Sequence, residues 1–449
     1  MAGGVVLISS SIVRPGNSNQ SGRTKIHLTP FDLSLLQFDY PQRGLLFPKP
    51  DQDFHLISRL KASLSLALEI YFPFAGRLVK TDNLEDNTVS FFIDCDGSGA
   101  RLNHAEAKSI SVSDLLQPNG SVPDFIKHFF PADDLKSSDG VTEPLLVIQV
   151  TEMKDGVFIG YCYNHMVADG VSMWRFLHTW SKICSSGLAS EHQPLALKGW
   201  FLDGIDYPIH IPVSDAKRPS PTSGELSAVP ITKEKVFHFT KKNISELKAK
   251  ANSEVGSSDM TISSLQAVAA HMWRSIIRHS GLRREGETHC KVVVDLRQRL
   301  NPPLENNCFG NMISTAPATT TVEELLDHGL GWAALQINKF VRSLTNESLK
   351  SFAEDWVSNV KNLKSGLGSR MVGDTLVVAS SPRFDVYNND FGWGKPIAVR
   401  SGPGNSINGK LVLFQGVEEG SVDVQTTVWS HVLVKLLADV EFTEHVTIA

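Results

Sequence analysis

His165 and Asp169 stand four residues apart in the segment Tyr161-Cys162-Tyr163-Asn164-His165-Met166-Val167-Ala168-Asp169-Gly170. An unperturbed imidazole titrates near pH 6.5, so His165 could take a proton from a hydroxyl or amine close to neutrality. The same H-x-x-x-D spacing also fits an ordinary polar turn or half of a metal site. A metal would need more ligands, and His104, His178 and His271 form no H-E-x-x-H or similar cluster, so none is expected. A second dense stretch is Asp390-Phe391-Gly392-Trp393-Gly394-Lys395-Pro396, with two glycines, two aromatics and an acid in seven residues. Alone it describes a tight loop.

The elements around these residues follow from periodicity. Leu145 to Val150 and Val157 to Tyr163 are β-rich runs joined at Lys154-Asp155-Gly156, which predicts a hairpin delivering His165 at the end of its second strand. Trp174, Leu177, Trp180 and Cys184 follow at helical spacing, so the histidine lies on a turn between strand and helix. Leu56, Leu60, Leu64 and Leu68 mark another helix, and Val5 to Val13 alternates as a strand. Residues 186 to about 230 carry prolines 194, 208, 212, 219, 221 and 230 and read as a long crossover between domains. Beyond it the pattern predicts a strand near 236–240 and helices at 242–253 and 261–279. A strand at 290–295 and helices at 321–343 and 346–364 follow. Strands near 375–388, 396–400, 410–415 and 421–428 precede a helix at about 429–440. The order is mixed α/β without strict βαβ alternation. No P-loop, dinucleotide fingerprint or G-x-S-x-G elbow occurs.

The chain has 449 residues and a net charge of −5, with 43 basic and 48 acidic side chains. Length alone suggests about three domains or two large ones. The charge balance argues against a nucleic-acid partner. Hydrophobic residues at 41% are enough for a sizeable core. Five scattered cysteines without a C-x-x-C pair fit reduced thiols in a cytoplasmic protein. No apolar run approaches a membrane span, and Val5-Val6-Leu7-Ile8 is too short for a signal-peptide core.

Taken together, H-x-x-x-D-G and the later D-F-G-W-G resemble the plant BAHD acyltransferases, which move acyl groups from coenzyme A thioesters to alcohols or amines. The likeness runs along the chain. Leu28-Thr29-Pro30-Phe31-Asp32 resembles the family's L-[ST]-x-x-D. Leu60 to Leu78, ending Tyr71-Phe72-Pro73-Phe74-Ala75-Gly76-Arg77-Leu78, resembles its Y-x-P-x-A-G-R-L stretch. Ser263-Ser264 to His271-Met272-Trp273-Arg274 resembles its S-S…A-H-x-W-R helix. Val294-Asp295-Leu296-Arg297-Gln298-Arg299, then Pro302-Pro303 and Phe309-Gly310-Asn311, resemble its V-D-x-R-x-R…P-P…F-G-N.

The resemblance implies a fold of two similar-sized mixed-sheet α/β domains of the chloramphenicol-acetyltransferase-like type, with a channel between them. Residues 1–190 form the N-terminal domain, to which about 365–388 returns, and 191–230 the crossover linker. Residues 231–364 and 389–449 form the C-terminal domain. It implies His165 as general base, Asp169 paired with Arg297 or less favourably Arg299, and Gly170, Phe391, Gly392, Trp393 and Gly394 as site support. Asp390 is a further catalytic candidate, and Trp393 and Thr29 are candidate oxyanion donors. No bound cofactor is expected. Acyl-CoA is the implied co-substrate, a small plant metabolite the acceptor, and a monomer the expected state. Residues 271–300 hold seven basic against three acidic side chains, where an anionic co-substrate could be met.

Several residues depart from the family's pattern. Cys308 and Met312 flank Phe309-Gly310-Asn311, so malonyl-CoA is not inferred. Ser381-Pro382 replaces a polar-Trp pair. Condensation domains share H-x-x-x-D-G but carry a second histidine where Asn164 stands, and they lack D-F-G-W-G. The alternative reading is a non-transferase on this fold, running elimination chemistry or binding a small molecule.

Overall fold

The computed structural model describes residues 4–16, 24–132, 134–187, 195–197, 204–216, 230–256, 260–305, 307–359, 373–404 and 406–447. Its frame is two six-stranded mixed sheets and one smaller sheet. The first runs in the order Val6–Val13, Ala100–Ala107, Leu146–Met153, Gly156–Tyr163, Gln42–Pro48, Ala398–Ser401. The second runs Thr232–Phe239, Val422–Trp429, Lys410–Gln415, Thr375–Ala379, Glu287–Asp295, Ile313–Thr321. The third joins Thr24–His27, Thr88–Cys95 and Arg77–Asn83, with Ile211–Pro212 of the crossover beside Thr88–Cys95. Each six-stranded sheet contains parallel neighbours, so the architecture is mixed α/β.

The hairpin forms as its pattern predicts. Leu146 pairs with Tyr163 and Glu152 with Val157, and all eight residues of Gly156–Tyr163 are buried. Full burial on both faces explains its unbroken apolar run. The helices Leu56–Ile70 and Gly170–Ser186 supply Leu60, Leu64, Leu68, Phe176, Leu177 and Trp180 to one core. The helices Lys241–Val255, Ser264–Ser280 and Leu330–Ser343 build a second core around Trp273 and Phe237.

Other boundaries move for local reasons. The helix expected over 321–343 is two, Val322–Asp327 and Leu330–Ser343, interrupted at His328-Gly329. The strand expected over 375–388 stops at Ala379, because Ser380 adopts a left-handed φ of 67° and Pro382 follows. The return to the first domain expected at about 365–388 is divided among its described residues. Thr375–Ala379 pairs inside the second sheet, whereas Ala398–Ser401 pairs antiparallel with Gln42–Pro48 of the first. Phe384, Val386 and Tyr387 between them do pack on the first core. Residues 360–372 of that expectation lie outside the described residues, as does much of the linker at 191–230. The described crossover is not structureless: Leu195, Leu197, Ile205 and Ile211 join the first core. No helix among the described residues is long and apolar enough to cross a membrane.

Candidate active site

The strand Gly156–Tyr163 ends at a turn that Asn164 holds together. Its amide donates to the Tyr40 hydroxyl at 3.0 Å and the Ser137 carbonyl at 2.7 Å, while its oxygen accepts from the Met166 N–H at 3.0 Å. These bonds satisfy a polar side chain at zero exposure. His165 comes next. Its Nδ1 lies 3.2 Å from the Ala168 carbonyl, and a carbonyl can only accept, so Nδ1 carries the proton. Nε2 is therefore the nitrogen with the lone pair. Burial holds the imidazole pKa below its ordinary value, and the bond to Ala168 offsets this only in part. The ring is thus neutral at pH 7 and able to accept a proton.

Asp169 caps the helix Gly170–Ser186, accepting from the Ser172 N–H at 2.9 Å. Arg297, on the loop after Glu287–Asp295, meets it at 2.8 and 3.2 Å, and the Met312 N–H donates to it at 3.0 Å. Asp169 and Arg297 side chains are 0% and 2% exposed, so the pair is dry and joins the two sheets' loops. Burial alone would raise the Asp169 pKa, but the Arg297 charge and these hydrogen bonds hold it below the ordinary carboxylate range. Burial likewise opposes the Arg297 charge, and Asp169 with Asp295 outweighs it and raises that pKa. Both Asp169 oxygens are occupied, and the imidazole Nδ1 turns to Ala168 instead. The geometry is an ion pair under the turn, not a triad. Arg299 reaches the carbonyls of Val341 and Leu344 instead.

Gly170 opens the helix with Phe384 3.4 Å from where its Cβ would sit, and Phe384 lies against Trp174 at 6.2 Å between ring centroids. Phe384 had no signal in the sequence, because its place depends on the turn at Ser380. Asn311 and Asp32 also come to the turn. The Asn311 amide donates to the His165 carbonyl at 2.6 Å and to Asp32 at 3.0 Å. Both residues belong to motifs noted in the sequence, but spacing alone could not show that they meet.

Other candidates lie elsewhere. Phe47 pairs with Val157, at the far end of the strand that leads to His165, and Trp393 packs on Phe47 and Phe54 at 5.3 and 5.0 Å. Six residues of extended strand from Val157 to Tyr163 span about 20 Å. Gly392 approaches Ser185, which lies about 22 Å along the helix from Gly170 at 1.5 Å per residue. Trp393 therefore cannot give an N–H to an oxyanion at His165. Asp390 is no second base there: its Oδ1 accepts from the Gly392 and Gly394 N–H groups at 2.7 and 3.1 Å. Phe391 is fully buried against Trp180 at 4.8 Å. Gly392 and Gly394 have φ of 107° and 126°, which favours glycine. Thr29 sits closer, but its hydroxyl proton goes to Asp32 at 2.8 Å, which removes it as an oxyanion donor.

The basic segment at 271–300 is largely committed within the protein. Arg274 reaches the Leu325 and His328 carbonyls, Arg278 pairs with Asp439 and Glu441, and Arg284 with Asp327. With Arg297 and Arg299 engaged as above, Arg283 and Lys291 have no part in these pairs. Among the described residues no group of three or more His, Cys, Asp or Glu side chains could hold a metal ion.

The site can be set beside known proteins. The Transferase family matches residues 4–443. An uncharacterised acetyltransferase of Arabidopsis thaliana is 67% identical over 440 residues, covering 98% of this chain and 99% of its own. The BAHD acyltransferase DCR of Arabidopsis thaliana is 32% identical over 460 residues, covering 98% of this chain and 92% of its own. The crystal structure of F. sporotrichioides TRI101 complexed with coenzyme A and T-2 shares the fold, with a TM-score of 0.72 at 19% identity over 95% of this chain and 100% of that one. The family model matches nearly the whole chain and the BAHD relative is aligned over almost all of it: the chain belongs to the Transferase family, among the BAHD acyltransferases.

Proposed function

We propose that this protein transfers an acyl group from a coenzyme A thioester to a hydroxyl or amine of a small plant metabolite, with His165 as general base and without a covalent acyl-enzyme. The observation that carries the reading is the bond from His165 Nδ1 to the Ala168 carbonyl, which leaves Nε2 as the basic nitrogen of a half-buried, neutral ring. The coenzyme A complex of TRI101 supports the donor class. In the proposed sequence Nε2 takes the acceptor's proton. The freed oxygen or nitrogen then attacks the thioester carbonyl, and the tetrahedral intermediate collapses. The carbon–sulfur bond breaks, and the leaving thiolate takes the proton back from the imidazolium. Asp169 and Arg297 act beneath this step by holding the turn and the loop 296–312 together. Donor and acceptor are proposed to meet between the two sheets, in a monomeric cytoplasmic enzyme.

The test is thiol release from a panel of acyl-CoAs with and without candidate hydroxyl and amine acceptors. Release that depends on an acceptor is expected, and His165→Ala should lower it by about 10² to 10⁴. A folded His165→Ala protein with full transfer would refute the base assignment. Turnover of a substrate without any coenzyme A requirement would refute acyl transfer itself.

A further inference from the structure

Beneath His165 lies a short chain of hydrogen bonds that acyl transfer does not by itself call for. Asn311 follows Phe309-Gly310 on the same loop as Arg297, between the second sheet's strands Glu287–Asp295 and Ile313–Thr321. Its Nδ2 donates one hydrogen to the His165 carbonyl at 2.6 Å and the other to Asp32 Oδ1 at 3.0 Å. Asp32 Oδ2 in turn accepts from the Thr29 N–H and the Thr29 hydroxyl, both at 2.8 Å. Every hydrogen bond to this carboxyl comes from a donor, as an ionised carboxylate requires. Burial pushes its pKa up to about 6, against the lowering from Thr29 and Asn311, which still leaves it charged at neutral pH.

The arrangement fixes which way the Asn311 amide faces. Turned over, it would set its oxygen against both a carboxylate and a carbonyl. Its own Oδ1 is buried without a partner, so no acceptor bond on that side competes for its orientation. The charge on Asp32 thus decides that an N–H, and not an oxygen, meets the main chain of His165. That residue's carbonyl lies on the same turn as the Ala168 carbonyl that orients the ring.

We propose that Asp32 and Asn311 are positioning residues for His165: a buried carboxylate orients an amide, and the amide holds the main chain from which the imidazole projects. Asp32 belongs to the early segment Leu28–Asp32, and Asn311 to the second half of the chain, so the latch also ties the base to both halves of the fold. Neither residue touches a reacting atom. The proposal rests on the reading of His165 as the base, and its test separates the two. Side chains that fix a catalytic group to within a fraction of an ångström work through such supporting bonds, and a misplacement of about 1 Å can cost about 100-fold in rate.

The experiment compares the full-length protein with Asn311→Ala and the milder, isosteric Asp32→Asn, after circular dichroism has established that each is folded. Diethylpyrocarbonate is the probe, and carbethoxylation of His165 is followed by peptide mass spectrometry, with exposed His328 as the internal reference. His165 should react at least about threefold faster in Asn311→Ala as its turn opens locally, with a smaller rise in Asp32→Asn and no change at His328. Acceptor-dependent turnover should fall by about 10- to 100-fold in kcat for Asn311→Ala, with KM for acyl-CoA little changed. Unchanged His165 reactivity in both variants, or in Asp32→Asn alone should Asn311→Ala not fold, would overturn the latch. Full turnover by His165→Ala would instead overturn the base, and the carbethoxylation comparison of the other variants would still report on the latch.

Discussion

His165 is a neutral imidazole whose tautomer is set by a main-chain carbonyl, and desolvation of the half-buried ring holds its pKa below the ordinary value. In the proposed role of general base it must be unprotonated to act, so activity is present above that pKa and lost as pH falls through it. The acid limb of kcat/KM is therefore expected below the ordinary pH of about 6.5, measured by acceptor-dependent thiol release across pH. Asp169 offers the opposite lesson. In an H-x-x-x-D pattern the acid invites a triad role, yet its oxygens are taken by Arg297, Ser172 and Met312. Arg297→Met leaves that carboxylate buried without its partner, and a loss of about 3–5 kcal/mol is expected in urea unfolding at pH 7. The sign with pH follows. In the wild type the folded pKa of Asp169 is lowered, so its stabilisation is present above the unfolded value and disappears as pH falls through the folded one. In the variant the acid accepts a proton more readily, so the deficit should shrink toward low pH.

At the scale of elements, the D-F-G-W-G turn is a staple and not a chemical group. Asp390 gathers two N–H groups, Phe391 packs Trp180 of the helix Gly170–Ser186 against Phe47, and Trp393 packs on Phe54. Phe391→Ala should cost about 3–5 kcal/mol of stability by cavity formation, read as a lowered denaturation midpoint. Trp393→Phe keeps an aromatic there and removes the indole N–H. It should leave kcat nearly unchanged, and a large kcat loss with intact stability would restore Trp393 as an oxyanion donor. The hairpin, the strand-turn-helix around His165 and the leucine helix were legible in the sequence because their periodicity is strong and local. Strands such as Gln42–Pro48 and Ile313–Thr321 were not: neither alternates apolar and polar residues, and each is fixed by the strand it pairs with outside its own segment. The reach of one strand and one helix put the two motifs at opposite ends, which no spacing in the chain could reveal.

For the whole molecule, the two halves complete each other. Ala398–Ser401, from the second half, forms the edge of the first sheet, and the Gln425 side chain bonds the Ser401 N–H at 2.7 Å. Arg297 and Asn311 reach from the second half to Asp169 and His165. A fragment ending at residue 190 would leave Gln42–Pro48 unpaired on that side and Asp169 buried without Arg297. It is expected to be insoluble or unfolded, by expression and circular dichroism. The full chain should unfold in urea with coincident fluorescence and circular dichroism transitions.

The sequence by itself determined the residue types, the turn that presents His165 and the mixed α/β character. Those depend on periodicity and on motifs a few residues long. Tertiary structure alone decided which motifs share a site. It brought Asp32, Asn311 and Arg297 beneath one histidine and set Asp390 and Trp393 about 20 Å away, at opposite ends of a strand. It also assigned most of the basic cluster at 271–300 to internal partners. Contacts between residues far apart in the chain depend on strand order and helix length, and these are properties of the packed molecule.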